Sequence, residues 1–138
     1  MVQATLDKQL MVMAKNTIGS LAEMTHIISS SGINLVAICA YAVDKMVAVM
    51  FVTEDNNAAK TLLEEKGYKV QEEEVVLLSV ENKPGAFQAV TDKIAETGID
   101  LSLVYGSVDK EAKKTRIVII SKNNLDIMMI VKMLLERS

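Results

Sequence analysis

The sequence predicts an α+β fold made of two tandem copies of one small module. Two observations carry that prediction: an internal repeat at a constant offset of 66 residues, and the same succession of apolar strand-length runs and helical stripes in each half. In the repeat, Asn16-Thr17-Ile18-Gly19 followed by Gly32-Ile33-Asn34-Leu35 returns as Asn82-Lys83-Pro84-Gly85 followed by Gly98-Ile99-Asp100-Leu101. Seven of the twenty positions in the blocks 16–35 and 82–101 are identical, where chance would give about one or two. The modules are assigned to residues 1–70 and 71–138.

Each copy reads as strand, helix, strand, strand, helix. In the second, Val75 to Val80 is an apolar run of strand length, broken by Asn82-Lys83-Pro84-Gly85. Phe87, Val90 and Ile94 recur at i, i+3 and i+7, the spacing of a helix with one buried stripe, and Gly98 ends that helix. Leu101 to Tyr105 and Thr115 to Ile120 are strands joined by a charged turn at Val108 to Lys114, and Leu125 to Leu135 is the last helix. The first copy repeats this with a strand at Leu10 to Met13 and a helical stripe of Leu21, Met24 and Ile28. Gly32 stops that helix, strands follow at Leu35 to Tyr41 and Met46 to Val52, and Ala58 to Glu65 is the second helix. Ala42-Val43-Asp44-Lys45 is short enough for a hairpin.

Two extended segments remain, Val2 to Leu6 and Tyr68 to Glu74, and they align at the same offset. Either the N-terminal segment crosses over to supply the fourth strand of the second half, or it lies against its own half or frays. Leu35 to Tyr41 has no polar alternation, and the last helix is too apolar for a one-sided stripe. Both call for packing between repeats or between chains, and at least a homodimer is expected.

Composition excludes several classes. With a net charge of −3, two arginines (Arg116 and Arg137) and no basic cluster, the chain is not expected to bind nucleic acid, which needs a clustered cationic surface. No apolar stretch reaches membrane-spanning length and no secretory leader is read. The one cysteine, Cys39, allows no internal disulfide and has no C-x-x-C metal spacing. A cytoplasmic setting follows as the default, with no metal and no cofactor. Cys39 reads as a buried inert thiol, His26 as a solvated helix residue, Glu72-Glu73-Glu74 as a solvated strand end, and Ser29-Ser30-Ser31 as a helix exit. The methionines read as core fillers or an adaptable interface. No set of residues offers a nucleophile, base and orienter, so the chain is not expected to be an enzyme.

An apolar strand, Asn82-Lys83-Pro84-Gly85-Ala86-Phe87, a short amphipathic helix and Gly98-Ile99-Asp100-Leu101 together resemble the ACT family of small-molecule-binding regulatory domains. Asn16-Thr17-Ile18-Gly19-Ser20-Leu21 with Gly32-Ile33-Asn34-Leu35 resembles it too, so the likeness covers essentially the whole chain as two copies. It implies ferredoxin-like βαββαβ modules with antiparallel sheets and helices on one face. It also implies side-by-side pairing of modules, with amino-acid ligands held at the interface between them. Two departures stand out: Ile18 replaces the proline in the first copy, and Asp100 replaces the more usual Asn in the second.

The chemistry of such a motif follows from the helix start. The first backbone N–H groups of a helix have no intrahelical acceptor, and the helix dipole favours an anion there. Gly19, Ser20 and Leu21, and likewise Gly85, Ala86 and Phe87, are placed to hold a carboxylate, the glycine letting the ligand approach the backbone closely. Asn16 and Asn82 supply side-chain amides. Asn34 and Asp100, which the resemblance sets beside that loop, could accept hydrogen bonds from an ammonium group. Each of these Asn and Asp residues reads equally well as a helix cap or turn former that binds nothing. The expected function is a non-catalytic regulator that binds an amino acid or similar metabolite; the alternative is a regulatory subunit docking onto an amino-acid biosynthetic enzyme.

Overall fold

The computed structural model describes residues 2–107 and 110–136. In order the elements are β1 (Gln3–Lys15), α1 (Ser20–Ser30), β2 (Leu35–Val43), β3 (Met46–Thr53), α2 (Asn56–Glu65), β4 (Val70–Glu81), α3 (Ala86–Glu96), β5 (Leu103–Ser107), β6 (Lys114–Ile120) and α4 (Asn124–Glu136). Of the charged turn expected at Val108 to Lys114, Val108 and Asp109 lie outside the described residues. Two compact units result. The first module is Lys8–Glu73, and the second joins the chain up to Asp7 with the chain from Glu74 onward.

The two long strands are each divided between the units. Hydrogen-bonded neighbours run β2-β3-β1-β4 in the first module and β1-β4-β6-β5 in the second. In the first, β1 pairs antiparallel with β3 (Leu10 opposite Phe51, Lys15 opposite Met46), and β3 with β2 (Tyr41 opposite Ala48). In the second, β4 pairs with β6 (Val76 opposite Ile119, Glu81 opposite Lys114), and β6 with β5. Separate sequence segments at Val2–Leu6 and Leu10–Met13 are one strand here. The polar residues between them remain in the ladder because they find partners: Gln9 is fully buried and its Nε2 donates to Glu73 Oε2 at 3.0 Å. Lys8 pairs with Glu72 at 3.6 Å.

Both helices of each module cover the same sheet face. Leu10, Val12, Val49 and Phe51 of the sheet meet Met24 and Ile28 of α1 and Ala59 and Leu63 of α2. In the second module Val76, Leu78, Val80, Ile117 and Ile119 meet Val90 and Ile94 of α3 and Ile127, Ile130 and Val131 of α4, with Val2 and Ala4 packed alongside. The alternation of strand side chains accounts for which residues share that face. Ala48, Met50, Val52, Val75 and Val118 point to the opposite face and are also buried.

A polar clamp closes each module at the end where its second helix starts. Asn56 Oδ1 accepts from Thr53 N at 2.9 Å and from Thr53 Oγ1 at 2.8 Å, while its Nδ2 donates to the Lys8 carbonyl at 2.7 Å. Asn124 repeats this: Oδ1 accepts from Ser121 N at 3.0 Å and Nδ2 donates to the Glu74 carbonyl at 3.1 Å. Asn124 stands 68 positions after Asn56, whereas Gly85 stands 66 after Gly19, so the β5–β6 hairpin is two residues longer than β2–β3. One amide thereby joins a helix start, a strand end and the first strand of its module. Removing it strands buried N–H and C=O groups, each costing about 1–3 kcal/mol. We expect Asn124→Ala and Asn56→Ala each to lower unfolding free energy by about 1–3 kcal/mol in urea titrations; losses too small to measure would contradict a structural role for the clamp.

Candidate functional site

The chain leaves β1 and β4 through the same turn. Asn16 N–H donates to the Lys45 carbonyl at 2.8 Å and Asn82 N–H to the Lys113 carbonyl at 2.9 Å. Thr17 N–H then bonds Lys15 O, and Lys83 N–H bonds Glu81 O, both at 2.9 Å. Gly19 and Gly85 follow at φ of 89° and 85° and serve as helix N-caps with no side-chain cap. A side chain in the left-handed region costs roughly 1–2 kcal/mol. An added Cβ would meet nothing within 4 Å at either glycine, so backbone conformation alone selects it.

The turn leaves amide hydrogens without a backbone acceptor at each helix start. The first i to i−4 bonds are donated by Glu23 to the Gly19 carbonyl (2.9 Å) and by Ala89 to the Gly85 carbonyl (3.2 Å). The N–H groups of Leu21 and Ala22, and of Phe87 and Gln88, precede those bonds and lack an intrahelical acceptor. Together with the helix dipole they form a donor pair suited to a carboxylate.

The side chains predicted around these turns have varied roles. Ser20 Oγ lies 2.6 Å from Thr17 Oγ1 and donates to the Lys15 carbonyl at 3.3 Å, which keeps it off the exposed amides. Ala86 is buried in the second core and Phe87 packs beside it, so those two residues can offer backbone only. Asn82 Nδ2 donates to the Ala112 carbonyl at 2.9 Å and ties the turn to the β5–β6 hairpin. Asn16 and Leu21 are exposed. Beside the second turn, Lys83 Nζ lies 2.8 Å from Glu81. The hydrogen bond and charge of Lys83 hold the Glu81 carboxyl down to about 2.

Asn34 and Asp100 are not beside the turn of their own module. Gly19 precedes α1 and Asn34 follows it; Gly85 and Asp100 flank α3 in the same way. Each helix has eleven residues and so separates its two ends by about 16 Å. Asn34 and Asp100 sit at the clamp end, where the Asn34 carbonyl accepts from Glu54 N at 3.1 Å and the Asp100 carbonyl from Ser121 Oγ at 2.7 Å. Both side chains are on exposed residues. Asn34 borders a shallow depression with Thr25, His26 and Ser29. The Thr25 and Ser29 hydroxyls there already donate to helix carbonyls. Among the described residues no group of three or more His, Cys, Asp or Glu is placed to hold a metal, and no helix is long and apolar enough to cross a membrane.

The sequence matches the ACT domain pair over residues 5–135. The chain belongs to the ACT family. No curated protein matches it by sequence. Among solved structures it is similar to protein BT0572 from Bacteroides thetaiotaomicron, at 25% identity and a TM-score of 0.85, over 94% of this chain and 88% of that one. It is similar in fold to the ligand-free regulatory subunit of aspartate kinase from Thermus thermophilus, at 14% identity and a TM-score of 0.68, over 94% and 95% of the two chains. The corresponding subunit from Thermus flavus gives 14% identity and a TM-score of 0.61, over 95% of each chain. The expected fold, two tandem ferredoxin-like ACT modules, is the one observed, and an ACT pair spanning the chain fits a regulatory role.

Asn56, Asn124 and Gln9 are the organising polar residues that sequence reasoning passed over. A repeat search at an offset of 68 beyond the hairpin would have paired Thr53 with Ser121 and Asn56 with Asn124. Tyr68 is another: its hydroxyl donates to Glu23 Oε1 at 2.6 Å, at the first turn of α1. That hydrogen bond, then burial, push the Tyr68 phenol from 10.0 up to about 12. Because the folded value lies above the unfolded one, the contribution of this contact is complete below pH 10 and vanishes as pH rises through about 12. In a tyrosinate absorbance titration of the folded protein, Tyr68 should ionise near pH 12, and Tyr68→Phe should remove that late step. Ionisation of Tyr68 near pH 10 would contradict the contact.

Proposed function

We propose that this ACT pair is a non-catalytic regulator that binds an amino acid or a similar small metabolite, and that a second copy of the chain completes the site. The observation that carries this is the separation of donors from acceptors. Exposed amides lie at one end of α1 and Asn34 at the other, about 16 Å away by helix length. An α-amino acid carries its carboxylate and ammonium on one carbon, so no single module can hold both ends.

The edge of the first module supplies the missing geometry. β2 is an edge strand of nine residues with no charged side chain, and Leu35, Ile38, Tyr41 and Val43 are each 40–52% exposed. Long, uncharged edges of this kind are templates for pairing, and monomeric proteins normally blunt them. A two-fold axis near Cys39 runs two β2 strands antiparallel and brings Asn34 of one chain level with Asp44 of the other. Lys45, the next residue, is the one whose carbonyl anchors the Asn16 turn. Two equivalent sites result at the seam, each with the Leu21 and Ala22 amides from one chain and the Asn34 side chain from the other. β5, the corresponding edge of the second module, has five residues, which favours the first module as the pairing one. Ligand then regulates by binding the paired state more tightly than the separate chains, the differential affinity that any such switch requires.

A thermal-shift screen of the amino acids tests the reading, followed by mixing of variants. One or a few amino acids should raise the melting temperature of the wild type. Asn34→Ala, which removes the acceptor, and Leu21→Asp, which sets a carboxylate beside the amides, should each abolish the response alone. Mixed and re-annealed, the two variants should recover binding at half the sites of the mixed pair. Full binding by either variant alone, or no recovery on mixing, would overturn a site shared between chains.

A further inference from the structure

One flank of α1 is hollow. A depression of about 600 Å³ runs along it from Ala22, at the helix start, past Thr25, His26 and Ser29 to Asn34 and the first residue of β2. That volume lies in the range of small-molecule sites. Duplication supplies an internal control. Ala22 and His26 correspond, 66 residues on, to Gln88 and Asp92, where Gln88 Nε2 donates to Asp92 Oδ1 at 2.7 Å and spans the same flank of α3. The fold therefore does not require the hollow, which opens in the module whose turn carries the proposed ligand site.

The lining is polar in one sense only. Thr25 Oγ1 donates to the carbonyls of Leu21 and Ala22 at 3.0 and 3.1 Å, and Ser29 Oγ to the His26 carbonyl at 3.2 Å. With their protons committed, both hydroxyls offer only lone pairs to a molecule in the depression. No carboxylate, lysine or arginine is among the described residues that line it. His26 is its one ionisable side chain and is exposed, where an ion pair contributes little.

Resting on the shared site proposed above, we propose that this depression receives the ligand's side chain, and that the ligand is an amino acid whose side chain is uncharged and donates a hydrogen bond: a hydroxyl or a carboxamide. Ala22, whose amide is one of the carboxylate donors, and Asn34, the ammonium acceptor, stand at the two ends of the depression. A side chain entering it is thus continuous with the site. The Thr25 and Ser29 oxygens accept from a hydroxyl or an amide. An aliphatic side chain covers them and leaves them without a donor. An acidic one sets lone pairs against lone pairs. A cationic one donates, but finds no carboxylate to offset its lost hydration. Thr25 and Ser29 are therefore the specificity-determining residues.

Calorimetric titration with polar amino acids and their apolar counterparts tests this: serine against alanine, threonine against valine, asparagine against leucine, with aspartate and lysine for comparison. Wild type should bind the polar member of at least one pair about tenfold more tightly, the factor that one hydrogen bond supplies. Thr25→Val, which keeps the side-chain shape, and Ser29→Ala should each narrow that ratio while affinity for the apolar member stays unchanged. Equal losses for both members, or an unchanged ratio in either variant, would overturn the proposal. Tightest wild-type binding of an apolar, acidic or basic amino acid would overturn it too, and would leave the shared site standing. Binding of no amino acid at all would remove the shared site as well.

Discussion

One backbone constraint organises each module: a glycine at positive φ between the first strand and its helix. Gly19 and Gly85 turn the chain within a few residues, and neither caps the helix with a side chain. The result is a rigid strand that ends in exposed amide hydrogens aligned with a helix dipole. Hairpin carbonyls hold the strand side of the turn in place, through Lys45 in one module and Lys113 in the other. Helix cores of Met24 and Ile28, or Val90 and Ile94, hold the other side. The donor geometry is therefore a consequence of the fold's own packing and needs no ligand to form.

The same packing keeps the two halves of a zwitterion site apart. Because the first helix runs the length of the sheet, whatever follows it starts at the far end, beside the Asn56 or Asn124 clamp. A module alone thus offers a donor end and an acceptor end that cannot meet on one small molecule. Under the function proposed above, association between chains would resolve this, and the long uncharged edge of β2 fits that requirement. Duplication has left the halves unequal. The first module keeps the extended edge and Asn34, while the second has a shorter edge, Asp100 and an apolar outer face on α4.

Much of the fold was legible in the sequence because the repeat sampled the same pattern twice. The helical stripe of Phe87, Val90 and Ile94, the stops at Gly32 and Gly98, and the hairpin at Ala42–Lys45 all follow from local rules. Strand continuity did not, since Asp7-Lys8-Gln9 reads as a break. Gln9 is tolerated in the interior only because Glu73, distant in sequence, accepts its amide hydrogen. The clamp asparagines were hidden for a related reason: two extra hairpin residues shift the offset, and a buried amide is recognised only by its partners. Of the candidate site, the glycine turns were readable from residue type. The placement of Asn34 and Asp100 was not, because the length of the intervening helix decides it.

If the site needs two chains, ligand and self-association are thermodynamically linked. Sedimentation of the wild type across a dilution series, with and without the amino acid that stabilises it most, measures that linkage directly. The account requires ligand to shift dissociation of the β2-linked pair to lower protein concentration. Undiminished binding by fully separated chains, with self-association unchanged by ligand, would contradict it.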